Sequence, residues 1–99
     1  MTTKDQIIAT IHGYIQRNGD QPGYWYVGVS KDARNRLFND HKVSESKGVW
    51  IYRTASTSGV ARQTEGYFIK TIGTDGGKGG GDTSAKMVYA YKKTSSTLP

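Results

Sequence analysis

The clearest periodicity lies at the start of the chain. Ile7, Ile8, Ile11, Tyr14 and Ile15 recur between polar positions at the spacing of one helical face. Just before them, Thr3-Lys4-Asp5-Gln6 has the pattern of a capping box, with Thr3 as cap and Gln6 reaching back. Gly13 weakens this helix by about 1 kcal/mol relative to Ala. Asn18-Gly19 predicts its end, and Asp20-Gln21-Pro22-Gly23 a turn. The period then changes. Tyr24 to Val29 is aromatic and β-branched and predicts a strand, with Tyr24 and Tyr26 on one face and Trp25 and Val27 on the other.

Ser30 is expected to cap a second helix, with Asp32 in its first turn. Ala33, Leu37 and His41 share one face of that helix, with Arg34 and Phe38 beside it. Residues 44–48 read as a polar loop, and Val49-Trp50-Ile51-Tyr52 as a second strand. Ser56, Thr57 or Ser58 can cap a third helix, whose apolar stripe is Val60, Ala61, Phe68, Ile69 and Ile72. Residues 73–82 contain six glycines, whose ordering cost predicts a loop. Met87-Val88-Tyr89-Ala90-Tyr91 predicts a third strand, and residues 94–99 a disordered tail. The expected architecture is a single α/β (α+β) domain over residues 1–93, with a three-stranded sheet flanked by about three helices.

Composition narrows the picture. Ninety-nine residues suit one domain with a modest core. Only 34% of residues are hydrophobic, but seven Tyr and two Trp add large amphipathic side chains. There is no cysteine, which excludes a disulfide framework and a Cys-based zinc site. Apolar runs are too short for a membrane span, and the N-terminus lacks a signal-peptide stretch, so a soluble cytoplasmic protein is expected. Net charge is +6 and unevenly placed. Residues 1–30 balance to zero, whereas residues 31–62 carry seven Lys/Arg against three acids. A basic segment suits a polyanion; a solubilising surface is the plainer alternative.

The candidate chemistry lies on that segment. The strand Tyr24-Trp25-Tyr26-Val27-Gly28 leads through Lys31 and Asp32 to Arg36-Leu37, and a later helix carries Glu65 within Ala61-Arg62-Gln63-Thr64-Glu65. An Arg fork can stabilise charge on a phosphodiester. Its alternative role is an i,i+4 ion pair with Asp32. Glu65 falls on the face of Ala61 and Ile69, where a carboxylate needs a partner, and Arg62 is the nearest. His41 either serves a site or packs with Leu37 and Ala33.

A Tyr-x-Gly strand, a helix bearing Arg and a later helix bearing one Glu resemble the GIY-YIG nuclease superfamily, over roughly residues 24–72. The resemblance implies metal-dependent cleavage of DNA or RNA. Tyr26 would position water or phosphate, Arg36 would contact the scissile phosphate, and Glu65 would bind one Mg²⁺ or Mn²⁺. The family often has a His four residues after the Arg. Here His41 is five residues after Arg36, an offset of about 100° on an α-helix. Of the opening Gly-Ile-Tyr motif only Gly13-Tyr14-Ile15 is similar, which makes Tyr14 a candidate, through a hairpin of Tyr14–Arg17 with Tyr24–Val29. No Asn follows Asn39 to match the family's late Asn. Lys31, Arg34, Lys42 and Lys78 are candidate nucleic-acid contacts. The glycine loop with Lys78 can cradle phosphate or merely connect elements. Two further readings stand beside the nuclease: a catalytically inactive nucleic-acid-binding module, and a protein-interaction domain using exposed tyrosines.

Overall fold

A computed structural model of the chain describes residues 3–77 and 84–98. The first helix, α1, spans Lys4–Arg17 and is capped as its sequence predicts. The Thr3 N–H donates to Gln6 Oε1 at 2.9 Å, and the Gln6 N–H donates to the Thr3 hydroxyl at 3.3 Å. Ile7, Ile11 and Ile15 are fully buried, each contributing about 1.5–3 kcal/mol relative to exposure. A 3₁₀ turn, Pro22–Tyr24, leads into strand β1, Trp25–Ser30.

Helix α2 starts later than the sequence suggests. Asp32, rather than Ser30, is its N-cap: the carboxylate accepts from the Asn35 N–H at 3.1 Å, and the Ser30 hydroxyl accepts from the Asp32 N–H at 3.0 Å. α2 covers Ala33–Asn35 and widens into a π-helical turn, Arg36–Asp40. Strand β2 is Trp50–Thr54. Helix α3, Ser58–Tyr67, is capped by Thr57 and also widens into a π turn, Phe68–Ile72. It stops at Gly73, whose φ of 98° is the left-handed conformation that glycine adopts without penalty. Strands β3, Asp75–Gly76, and β4, Met87–Lys92, follow.

The sheet is four-stranded, in the order β2-β4-β1-β3. β4 runs antiparallel to both β1 and β2, and β3 pairs parallel with β1. The class is α+β, with one strand beyond the expected three. The addition is two residues at the edge of the glycine-rich stretch, too short to leave a periodic signal. Trp25 and Val27 face a core shared with α1 and α3; Tyr26 faces a second core shared with α2.

Residues 94–98 bond to one another and to His41. The Leu98 N–H donates to the His41 carbonyl at 2.8 Å, and a turn over Thr94–Thr97 is closed by the Thr97 N–H donating to the Thr94 carbonyl at 3.2 Å. Among the described residues, no helix is long and apolar enough to cross a membrane. Lys78 and most of the glycine loop lie outside the described residues.

Candidate active site at a tyrosine–histidine cluster

The pairing of β1 with β4 builds the site. Its register sets Tyr26 opposite Tyr91 and Gly28 opposite Tyr89, so Tyr26, Tyr89 and Tyr91 project from one face. Tyr89 crosses directly over Gly28. A Cβ at Gly28 would lie 2.5 Å from the Tyr89 phenol oxygen and 2.6 Å from its Cζ, so only glycine admits the ring. Tyr26 stacks on Tyr91 with centroids 5.3 Å apart and tilts against His41 at 4.7 Å.

His41 is buried at the end of the π turn. Its Nε2 lies 2.8 Å from the Tyr89 hydroxyl, and its Nδ1 lies 2.8 Å from the Leu98 carbonyl oxygen. A carbonyl only accepts, so Nδ1 carries the ring proton and Nε2 accepts from Tyr89. The Tyr91 hydroxyl donates to the same Leu98 carbonyl at 2.8 Å. Burial pushes the His41 pKa down, and the Arg36 charge adds to this, against a rise from the Leu98 bond and Asp40. The ring is therefore neutral near pH 7. Burial also raises the Tyr26 phenol, and raises Tyr89 and Tyr91 well above the ordinary phenol range.

Two charged side chains flank the phenols. The Arg36 charge favours ionisation of both Tyr26 and Tyr89. Arg36 Nε also pairs with Asp40 Oδ2 at 3.2 Å. Asp32, the other carboxylate within reach along the helix, is committed to the helix cap. Glu65 is 6% exposed. Its nearest ion pair is the expected one, with Arg62, at a long 3.9 Å. Burial raises the Glu65 pKa against a smaller lowering by Arg62. The Glu65 charge in turn disfavours ionisation of Tyr26 and Tyr89. Arg36 and Glu65 thus both act electrostatically on Tyr26 and Tyr89.

Among the described residues, no group of three or more His, Cys, Asp or Glu gathers to hold a metal ion. Glu65 offers a single carboxylate, whose ion pair among the described residues is with Arg62 at 3.9 Å. That donor set fits a hard cation that keeps most of its water and takes its other ligands from a phosphate.

The remaining candidates are dispersed. Tyr14 stays on α1 and packs edge-on against Trp25, with centroids 5.8 Å apart and planes at 79°, in the core of the opposite face. The hairpin of residues 14–17 with β1 does not form, because the isoleucine periodicity holds that segment helical. Arg34 pairs with Glu45 and lies over the Phe38 and Trp50 rings, at 5.1 and 5.7 Å. Lys42 lines a recess of about 300 Å³ with Val43, Lys47, Lys92 and Thr97, whose lining includes none of the three tyrosines. Lys31 is exposed.

The π turn changes the place of His41. The His41 N–H donates to the Arg36 carbonyl at 2.9 Å, five residues back. Widening the turn takes up the extra residue, and His41 meets the phenols instead of rotating away. Tyr89 and Tyr91 had no place in the expected site. Their signal was the alternation in Met87-Val88-Tyr89-Ala90-Tyr91, which places both phenols on one face. Comparisons with protein-family models, with curated proteins and with solved structures found no match.

Proposed function

We propose that this chain is a GIY-YIG-like phosphodiesterase domain acting on DNA or RNA. The observation that carries the proposal is the Tyr89 hydroxyl, bonded at 2.8 Å to His41 Nε2 and stacked beside Tyr26, with the Arg36 and Glu65 charges both acting on it. The resemblance calls for a tyrosine on a strand next to the Tyr26-x-Gly28 strand. β4 pairs with that strand and sets Tyr89 opposite Gly28, and on this reading Tyr89 takes that role, in a chain order circularly permuted from the family's.

The chemistry follows from the bonds. A water beside Tyr89 gives its proton to the phenol oxygen as the phenol's own proton passes to His41 Nε2. The transfers are coupled, because burial makes a free tyrosinate costly. The hydroxide so formed attacks phosphorus, the P–O bond to the leaving oxygen breaks, and that oxygen is protonated by solvent. Arg36 leaves Asp40 to stabilise the developing charge on the phosphoryl oxygens, and Tyr26 orients the phosphate. Mg²⁺ or Mn²⁺ held by Glu65 would supply further neutralisation of phosphate charge.

The second reading, a module that binds nucleic acid without cutting, is favoured by the 3.2 Å Arg36–Asp40 pair, which occupies the guanidinium. Incubation of plasmid and of labelled RNA with Mg²⁺ or Mn²⁺ separates the two. Cleavage by the wild type should vanish in chelator and in Glu65→Gln. It should fall by about 10²–10³-fold in Arg36→Ala, the scale for removing one oriented charge from a transition state. Cleavage unchanged by chelator and by both substitutions refutes the hydrolytic reading. Nucleic-acid binding with no cleavage supports the second.

A further inference from the structure

The residues after β4 meet the site through their backbone. Leu98 donates its N–H to the His41 carbonyl at 2.8 Å and accepts at 2.8 Å from His41 Nδ1. The Leu98 side chain is 50% exposed, so apolar burial does not anchor it. The turn before it is self-bonded: the Thr94 N–H donates to the Thr97 hydroxyl at 3.0 Å, and the Ser96 N–H to the Thr94 hydroxyl at 3.2 Å. A segment without a hydrophobic anchor is thus held in one register by polar bonds, and one of them ends on a buried imidazole.

We infer that Thr94–Leu98 is a positioning element: the Leu98 carbonyl fixes the His41 tautomer so that Nε2 faces the Tyr89 hydroxyl as an acceptor. A neutral imidazole has one ring proton. The carbonyl draws it to Nδ1 and leaves the Nε2 lone pair for Tyr89. Without the carbonyl, Nδ1 would face the Tyr91 hydroxyl at 3.1 Å, which donates or accepts equally well. The proton could then move to Nε2, and Tyr89 would lose its acceptor. When His41 takes up a proton, the same carbonyl remains bonded to a buried cation, which otherwise would have only the Tyr91 hydroxyl, at 3.1 Å, to accept from Nδ1. The tautomer follows from geometry alone; its effect on cleavage rests on the phosphodiesterase reading.

Long-range ¹⁵N–¹H NMR of the full chain, at a pH where His41 is neutral, reads the tautomer directly. The expected result is a protonated Nδ1 and a bare Nε2, retained in Tyr91→Phe and in Leu98→Ala, which keeps the carbonyl. A chain ending at Thr94 should show mixed tautomers, and its cleavage should fall by about 10–100-fold, the scale for losing a group that orients a site imidazole. A protonated Nε2 in the full chain or in Tyr91→Phe overturns the inference, as does a folded truncated chain that keeps both tautomer and rate. If truncation unfolds the chain, the full-length and Tyr91→Phe spectra decide. If the wild type does not cleave, the phosphodiesterase reading fails while the tautomer still decides the positioning role.

Discussion

Gly28→Ala is the sharpest perturbation the structure offers, because one methyl group meets one ring. The added Cβ would stand 2.5 Å from the Tyr89 oxygen, 2.6 Å from Cζ and 3.0 Å from Cε2, where ordinary contact begins at 3.4 Å. The ring must retreat by about 0.9 Å. It has little room to do so: Tyr89 is 1% exposed and tied to His41 at 2.8 Å. Overpacking of this kind costs about 1–3 kcal/mol, and a broken hydrogen bond adds about 0.5–1.5 kcal/mol. Opposing these is the backbone-entropy gain of replacing glycine, about 0.5–1 kcal/mol. The balance is a net loss of about 1–3 kcal/mol.

Gly66→Ala is the matched control. Gly66 lies within α3, and nothing stands within 4 Å of its Cβ position. There the entropy and helix-propensity gain is unopposed, so stability should rise by about 0.5–1 kcal/mol. Urea unfolding followed by circular dichroism measures both. The two substitutions add the same atoms and should move the midpoint in opposite directions. A Gly28→Ala variant as stable as the wild type, with the Tyr89–His41 bond intact by NMR, would refute the packing account of the site.

Three other predictions follow from charge. Burial raises the Glu65 pKa above 4.5, so above pH 4.5 the folded chain holds more protons than the unfolded one, and stability falls as pH rises through that window. Glu65→Gln should therefore be more stable than the wild type at pH 7 and equal to it below the ordinary carboxylate range; a difference that does not change with pH contradicts this. The His41 pKa is depressed below 6.5, so its contribution to stability is present above 6.5 and lost as pH falls toward the lowered value. The acid limb of cleavage should accordingly lie below pH 6.5, and a limb above it in a pH–rate profile would exclude neutral His41 as the acceptor. Lys42→Gln with Lys47→Gln, both lining the recess under the C-terminal turn, should flatten the salt dependence of nucleic-acid binding by about 0.9 for each phosphate no longer neutralised; an unchanged slope would place the nucleic acid elsewhere.

What could be read from the sequence was local. The isoleucine period and the Thr3–Gln6 box specify α1 because they act within a few residues of each other. The aromatic alternation specifies β1 for the same reason. The π turn escaped because helical reasoning assumes 3.6 residues per turn, and that assumption turns His41 about 100° away from the position four residues after Arg36. The docking of residues 94–98 escaped because it uses backbone groups, which carry no side-chain pattern. β3 escaped because two residues, one of them glycine, have no period. Of the candidate site, Tyr26, Arg36, His41 and Glu65 were identifiable from residue type and spacing. Tyr89 was not, because strand pairing over sixty residues depends on register and packing rather than on nearby sequence.

That distance has a mechanical consequence. Tyr14 was the sequence candidate because Gly13-Tyr14-Ile15 is similar to the family's opening motif, yet the tyrosines beside Tyr26 come from β4, the strand farthest along the chain. β4 occupies an interior place between β2 and β1. One of its faces supplies Val88 and Ala90 to the core shared with α1 and α3, and the other supplies Tyr89 and Tyr91 to the site. The residues that complete the tyrosine cluster are therefore inseparable from those that complete the sheet. Loss of β4 would remove the neighbour of both β1 and β2, so no shorter fragment ending before Met87 can keep half a site on an intact scaffold. The closing contact, Leu98 to His41, lies further still along the chain. The site forms only when the ends of the fold have met, and its assembly reports on folding of the whole domain.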